Sequence, residues 1–156
     1  MALVGTLQRW GAWAGAICAA TYIFGFVMIL AVLADTGIGS ADAEQAAVVT
    51  YIAEHPGLMS VWYLSIYVLN GLALAVLVLA LAQHVSERSP DLAQLVRSFC
   101  LMLATLIISA GIAANVCLSK VVDLNETDPV AAIALLGIVE LIENGIGVGN
   151  EVLGGV

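Results

Sequence analysis

The sequence predicts an all-α integral membrane protein: a helical bundle of four transmembrane helices, with an outer surface helix in the first loop. Three observations carry that expectation. The 156 residues are 62% hydrophobic and only 10% charged, with a mean hydropathy of +1.07. Soluble domains are about 45–50% apolar and about 25% charged, so a fold of this size could not hide that much apolar surface from water. The apolar residues also fall into four runs of roughly 20 residues, the length that crosses about 30 Å of hydrocarbon. Finally, these runs do not alternate as barrel strands do, and a lone apolar segment satisfies its backbone polar groups only as a helix.

The chain reads as one transmembrane domain, 1–156. Span one covers about 11–34 (GAWAGAICAATYIFGFVMILAVLA) and is too long for the 7–15-residue core of a signal peptide, although VLA before Asp35 resembles a cleavage site. Turn residues DTGIGS follow, and Ser40 can cap a surface helix at about 41–54 whose apolar side holds Val48, Val49, Tyr51 and Ile52. That helix is expected to lie flat on the membrane or cap the bundle, with docking of a partner as the functional alternative. His55-Pro56-Gly57 ends it.

Span two covers about 60–84. The short loop SERSPDLAQLVR places Ser89 and Pro90 at the entry to span three, about 98–121. Span four starts at Pro129 and runs to about 151. The ending NEVLGGV implies that another span follows or that Glu151 closes span four at the inner surface.

Orientation follows from the basic residues. Arg9, Arg88 and Arg97, three of the four, fall on one side, which is assigned to the cytoplasm together with both termini. Trp10 and Trp13 mark the inner interface, and Trp62 and Tyr63 the outer one. The expected localisation is the cell membrane.

A net charge of −8 argues against nucleic acid, and four basic residues cannot form a polybasic lipid patch. The sequon at Asn125-Glu126-Thr127 is discounted, because such triplets arise often by chance. Cys18, Cys100 and Cys117 sit within or beside apolar runs without CxxC spacing and read as packing residues.

Span four carries the chain's least expected feature. Glu140, Asn144, Gly147 and Glu151 share one helical stripe, with Glu143 beside it. Counting from Pro129 at the outer surface puts Glu140 about 16 Å deep, where a charge costs about 2.5–3.5 kcal/mol. No Lys or Arg reaches that depth, so the carboxyls are expected as neutral hydrogen-bonding acids, with Asn70 as first partner and Tyr22 and Tyr67 nearby. This polar cluster, Glu140, Glu143, Asn144 and Asn70, is read as structural glue between helices, as a proton or cation carrier, or as a face toward a helix or cofactor from elsewhere.

Tight helix contact is expected at Gly11, Gly15 and Ala19 in span one and at Gly145 and Gly149 in span four, each spaced by four residues. His84 is a possible lone pigment or haem ligand. His55 falls on the other side of the membrane and cannot pair with it. No HExxH, GxSxG or Walker loop occurs, so an enzyme is the least expected class.

The order of features resembles a group of bacterial multi-span membrane proteins, the domain-of-unknown-function family numbered 4386. The shared features are a short N-terminus, span one, an acidic outer loop with a helix, and spans like YVLNGLALAVLVLALAQHV and LMLATLIISAGIAANV. The resemblance implies a six-span bundle of which this chain would match the first four. It assigns no functional residues.

The expected role is an accessory or scaffold subunit of a membrane complex, partnered by the bilayer and other transmembrane helices. No cofactor is expected, with pigment or lipid as possible bound groups. The alternative is a small transporter or channel component that uses the intramembrane carboxylates.

Overall fold

The computed structural model describes residues 2–36, 38 and 44–148. The chain is all-α, and no strand occurs among the described residues. Helix α1 (Ala2–Val27) continues into a π-helical turn, Met28–Val32, closed by the Leu33 N–H donating to the Met28 carbonyl at 2.8 Å. After the connection come α2 (Gln45–Glu54) and α3 (Pro56–Tyr63), a second π-helical segment (Leu64–Leu69), and α4 (Asn70–Ser86). A long α5 (Pro90–Asn125) is followed by α6 (Pro129–Ile142), which runs into a third π-helical segment, Glu143–Val148. Four helical stretches are long and apolar enough to cross a membrane.

Prolines set the boundaries. Pro56, Pro90 and Pro129 each open a helix, at the first turn, where the missing N–H costs nothing. Asp128 completes the last of these starts, its side chain accepting from the Ala131 N–H at 3.0 Å. The surface helix expected at 41–54 is observed from Gln45. Its proposed cap, Ser40, lies outside the described residues.

The long helices pack antiparallel and in chain order, α1 on α4, α4 on α5 and α5 on α6. The α1–α4 seam is built from small residues in a repeating step of three and four. Gly11, Ala14, Cys18, Thr21, Gly25 and Met28 are its inward positions. That is heptad spacing, which gives the shallow left-handed crossing of ordinary helix bundles. Gly11 faces Ala80, Gly15 faces Leu77 and Gly25 faces Ile66. Ala19, expected in this seam, is exposed on another face, because a strict four-residue step drifts off a heptad seam.

The seam between α4 and α5 uses the same device. A Cβ on Gly71 would stand 2.6 Å from Ile108 Cγ1 and 3.3 Å from the Ala104 carbonyl, and one on Gly111 would collide with Tyr67. Close backbone approach is how helices associate where lipid supplies no hydrophobic drive between them.

The larger buried side chains gather at one end of the molecule. There α2 packs on α5 and α6, burying Val48, Val49 and Ile52 against Met59, Leu118, Val121, Leu136 and Val139. Of the two placements expected for the surface helix, it takes the cap. Burying each such side chain from water is worth about 1.5–3 kcal/mol, so this face alone can hold the helix down. Trp62 and Tyr63, expected as interface markers, are 6% and 5% exposed and belong to this core. Trp10 and Trp13, at the opposite end, are 63% and 69% exposed.

Candidate functional site

The site lies where α6 gives way to its π-helical segment. Glu140 is in the last turns of α6, and Glu143 opens the wider turn that follows. Both side chains are half-buried. The Tyr67 hydroxyl donates to Glu143 Oε1 at 3.4 Å, and the Tyr63 hydroxyl donates to the same carboxylate. The two phenol rings stack with centroids 5.8 Å apart, and Trp62 meets Tyr63 edge-on at 5.1 Å. Glu143 is thus held by an aromatic wall from α3 and the π-helical segment that follows it.

Glu140 is held from a different direction. Gln45, the first residue of α2, donates through Nε2 to Glu140 Oε1 at 3.1 Å. The carboxamide oxygen of Gln45 and Trp62 Nε1 are buried without a hydrogen-bond partner among the described residues. The acids therefore bridge three parts of the chain: the cap helix, the α3–α4 rod and α6.

Geometry explains how Tyr67 reaches Glu143. Tyr67 belongs to the π-helical segment before α4, and α5 lies between that rod and α6 in the packing order. The α5 residue against Tyr67 Cβ is Gly111, so the ring passes α5 at a position without a side chain. Both hydrogen-bonded residues lie in π-helical turns. Such turns insert one residue into the i→i−4 ladder and re-aim the side chains they carry.

Asn70 does not join this group. It is buried one turn further along, and Cys18 Sγ approaches its carbonyl at 3.9 Å. Asn144 is exposed, and Gly145 is exposed with no described atom within 4 Å of the place a Cβ would occupy, so neither packs against another described helix of this chain. Gly149, Asn150 and Glu151 lie outside the described residues.

Sequence reasoning missed Gln45 and read Tyr63 as an interface marker. The available signal for Tyr63 was its spacing: Tyr63 and Tyr67, four apart, share a helix face with Trp62 adjacent.

A second polar tie closes the same end of the bundle. Asn115 Nδ2 donates to the Ser60 carbonyl at 3.2 Å, and Ser60 Oγ donates to Asn115 Oδ1 at 3.4 Å. Lys120 pairs with Asp123 at 2.9 Å, fully in the open on α5. His84 is exposed at the far end of α4, remote from His55. No group of three or more His, Cys, Asp or Glu among the described residues could hold a metal ion. No protein-family model, curated protein or solved structure matches the chain.

Proposed function

We propose that this membrane protein is a scaffold or accessory subunit, a non-enzyme whose carboxylates tie its own helices together while its outer flanks meet other transmembrane helices. The observation that carries the reading is the double clasp: Glu143 accepts from Tyr63 and Tyr67, and Glu140 accepts from Gln45. Each acid accepts from donors within the chain, as polar residues do when they knit helices together. Further support comes from α1, which packs along one seam and leaves Trp13, Ile17, Phe26 and Leu30 on open flanks. By the excess of Arg9, Arg88 and Arg97 at one end, that end is cytoplasmic in this reading.

A second reading, a small transporter or channel component, is favoured by one feature. Glu143 has aromatic rings on one side and no basic residue among its partners, which suits a transient cation.

Purification of the tagged chain from native membranes in mild detergent separates the two, when paired with proton and cation flux in proteoliposomes. The scaffold reading expects a partner polypeptide at fixed stoichiometry and no flux. Flux that disappears in Glu140→Gln or Glu143→Gln overturns it.

A further inference from the structure

The positions of exposed residues fix where the bilayer ends. On α1 the exposed apolar surface runs from Trp10 to Val32, on the α3–α4 rod from Val61 to Leu81, and on α5 from Leu92 to Val116. At 1.5 Å per residue these stretches measure about 33, 30 and 36 Å, each enough to cross a hydrocarbon core of about 30 Å. Arg97 is the one Asp, Glu, Lys or Arg within them, five residues inside the edge, where its long stem can snorkel out. The exposed hydroxyls of Thr105 and Ser109 donate to carbonyls one turn back, which makes them tolerable in lipid.

The three stretches are also in register. Gly11 meets Ala80 and Gly25 meets Ile66, which brings Val32 level with the start of the α3 stretch. Ser60 meets Asn115, which brings that start level with Val116. Three helices, judged separately, therefore end their apolar surface in one plane. Beyond it the exposed residues of α5 change character to Ser119, Lys120, Asp123 and Glu126.

Helix α5 has 36 residues, about 54 Å, far more than a crossing needs. Most of the surplus stands on the side of α2. Helices α5 and α6 pack against each other across a tight turn, so residues equally far from that turn are level, and Val116, nine before Asn125, brings the plane to Ile138, nine after Pro129.

We infer that the lipid headgroup boundary crosses the chain at Val32, Val61, Val116 and Ile138. The α5–α6 hairpin then projects about 14 Å beyond the hydrocarbon and, with α2, forms a water-facing cap that has its own apolar core. Glu140 and Glu143 lie about 3 and 8 Å below that boundary, within reach of headgroups and water, rather than at the bilayer centre. This differs from the depth implied by counting from Pro129 at the membrane surface. It holds whichever function the chain has.

Nitroxide depth measurement in lipid vesicles tests the inference. Single cysteines are placed in a background lacking Cys18, Cys100 and Cys117, at exposed sites: Ala47, Val130, Ile138 and Ile112. Relative access to oxygen and to a water-soluble nickel chelate gives depth. The expected order is Ala47 and Val130 in water, Ile138 at the headgroups, and Ile112 in hydrocarbon. If Val130 reads at the headgroups and Ile138 some 12 Å below them, the inference is overturned, since that is the spacing of a helix entering at Pro129. Ala134 replaces Ile138 if that variant does not fold. It is expected about 6 Å outside the boundary, and a reading inside the hydrocarbon overturns the inference equally.

Discussion

Gly111 of α5 stands directly against the Cβ of Tyr67. The absence of a side chain there is what allows the phenol to pass the neighbouring helix and donate to Glu143. One glycine thus serves both a helix seam and a hydrogen bond it does not make.

Gly111→Ala is expected to destabilise the protein by about 1–3 kcal/mol, the usual range for overpacking a well-filled contact. Thermal unfolding in detergent reads this as a lower Tm. Adding Tyr67→Ala removes the colliding ring, so the double variant should lose less than the two single losses combined.

At Glu143 the identity of the replacement decides the outcome. Glutamine keeps an acceptor for the hydroxyls of Tyr63 and Tyr67, and Glu143→Gln should remain close to the parent in Tm. Alanine leaves the hydroxyls of the buried Tyr63 and the half-buried Tyr67 without that acceptor, and Glu143→Ala is expected to cost about 1–3 kcal/mol. Equal losses for the two variants would mean that the tyrosines do not depend on the carboxyl oxygen.

The Gln45–Glu140 contact is the only hydrogen bond described between the side chains of α2 and α6. A double-mutant cycle of Gln45→Ala and Glu140→Ala should give a coupling of about 0.5–1.5 kcal/mol. The readout is protection of α2 from protease, since loosening should begin there while the long helices stay packed. A coupling near zero would assign the cap's stability to Val48, Val49 and Ile52 alone.

Asn115 makes two hydrogen bonds across the α3–α5 contact, whereas Lys120 makes one ion pair in the open. Asn115→Ala should therefore cost about 1–3 kcal/mol. Lys120→Ala should change stability by less than about 1 kcal/mol, as exposed pairs usually do. Unfolding of both variants under one set of conditions checks the contrast.

The spans were legible in the sequence because lipid imposes a length on apolar runs and Pro56, Pro90 and Pro129 mark where helices open. The packing was only half legible. A step of four residues finds Gly11 and Gly15 but then selects the exposed Ala19, whereas a heptad step reaches Cys18, Thr21 and Gly25. In the site, the cost of burying acids drew attention to Glu140 and Glu143, but it did not give their partners. Asn70 was favoured on depth alone, but the hydrogen bonds depend on which way Tyr67 points and on where α2 folds back. Both follow from features with no local signature: a wide helical turn at Leu64–Leu69 and a cap held by long-range packing.

The wide turn at Leu64–Leu69 amounts to one supernumerary residue in an otherwise continuous rod from Pro56 to Ser86. Shortening that stretch by a single amino acid would let both flanks keep their faces while returning the rod to uniform winding. Tyr67 would then swing through most of a right angle away from the carboxylate. A deletion, ordinarily ruinous in a helix, would here leave the scaffold standing and unfasten only the clasp.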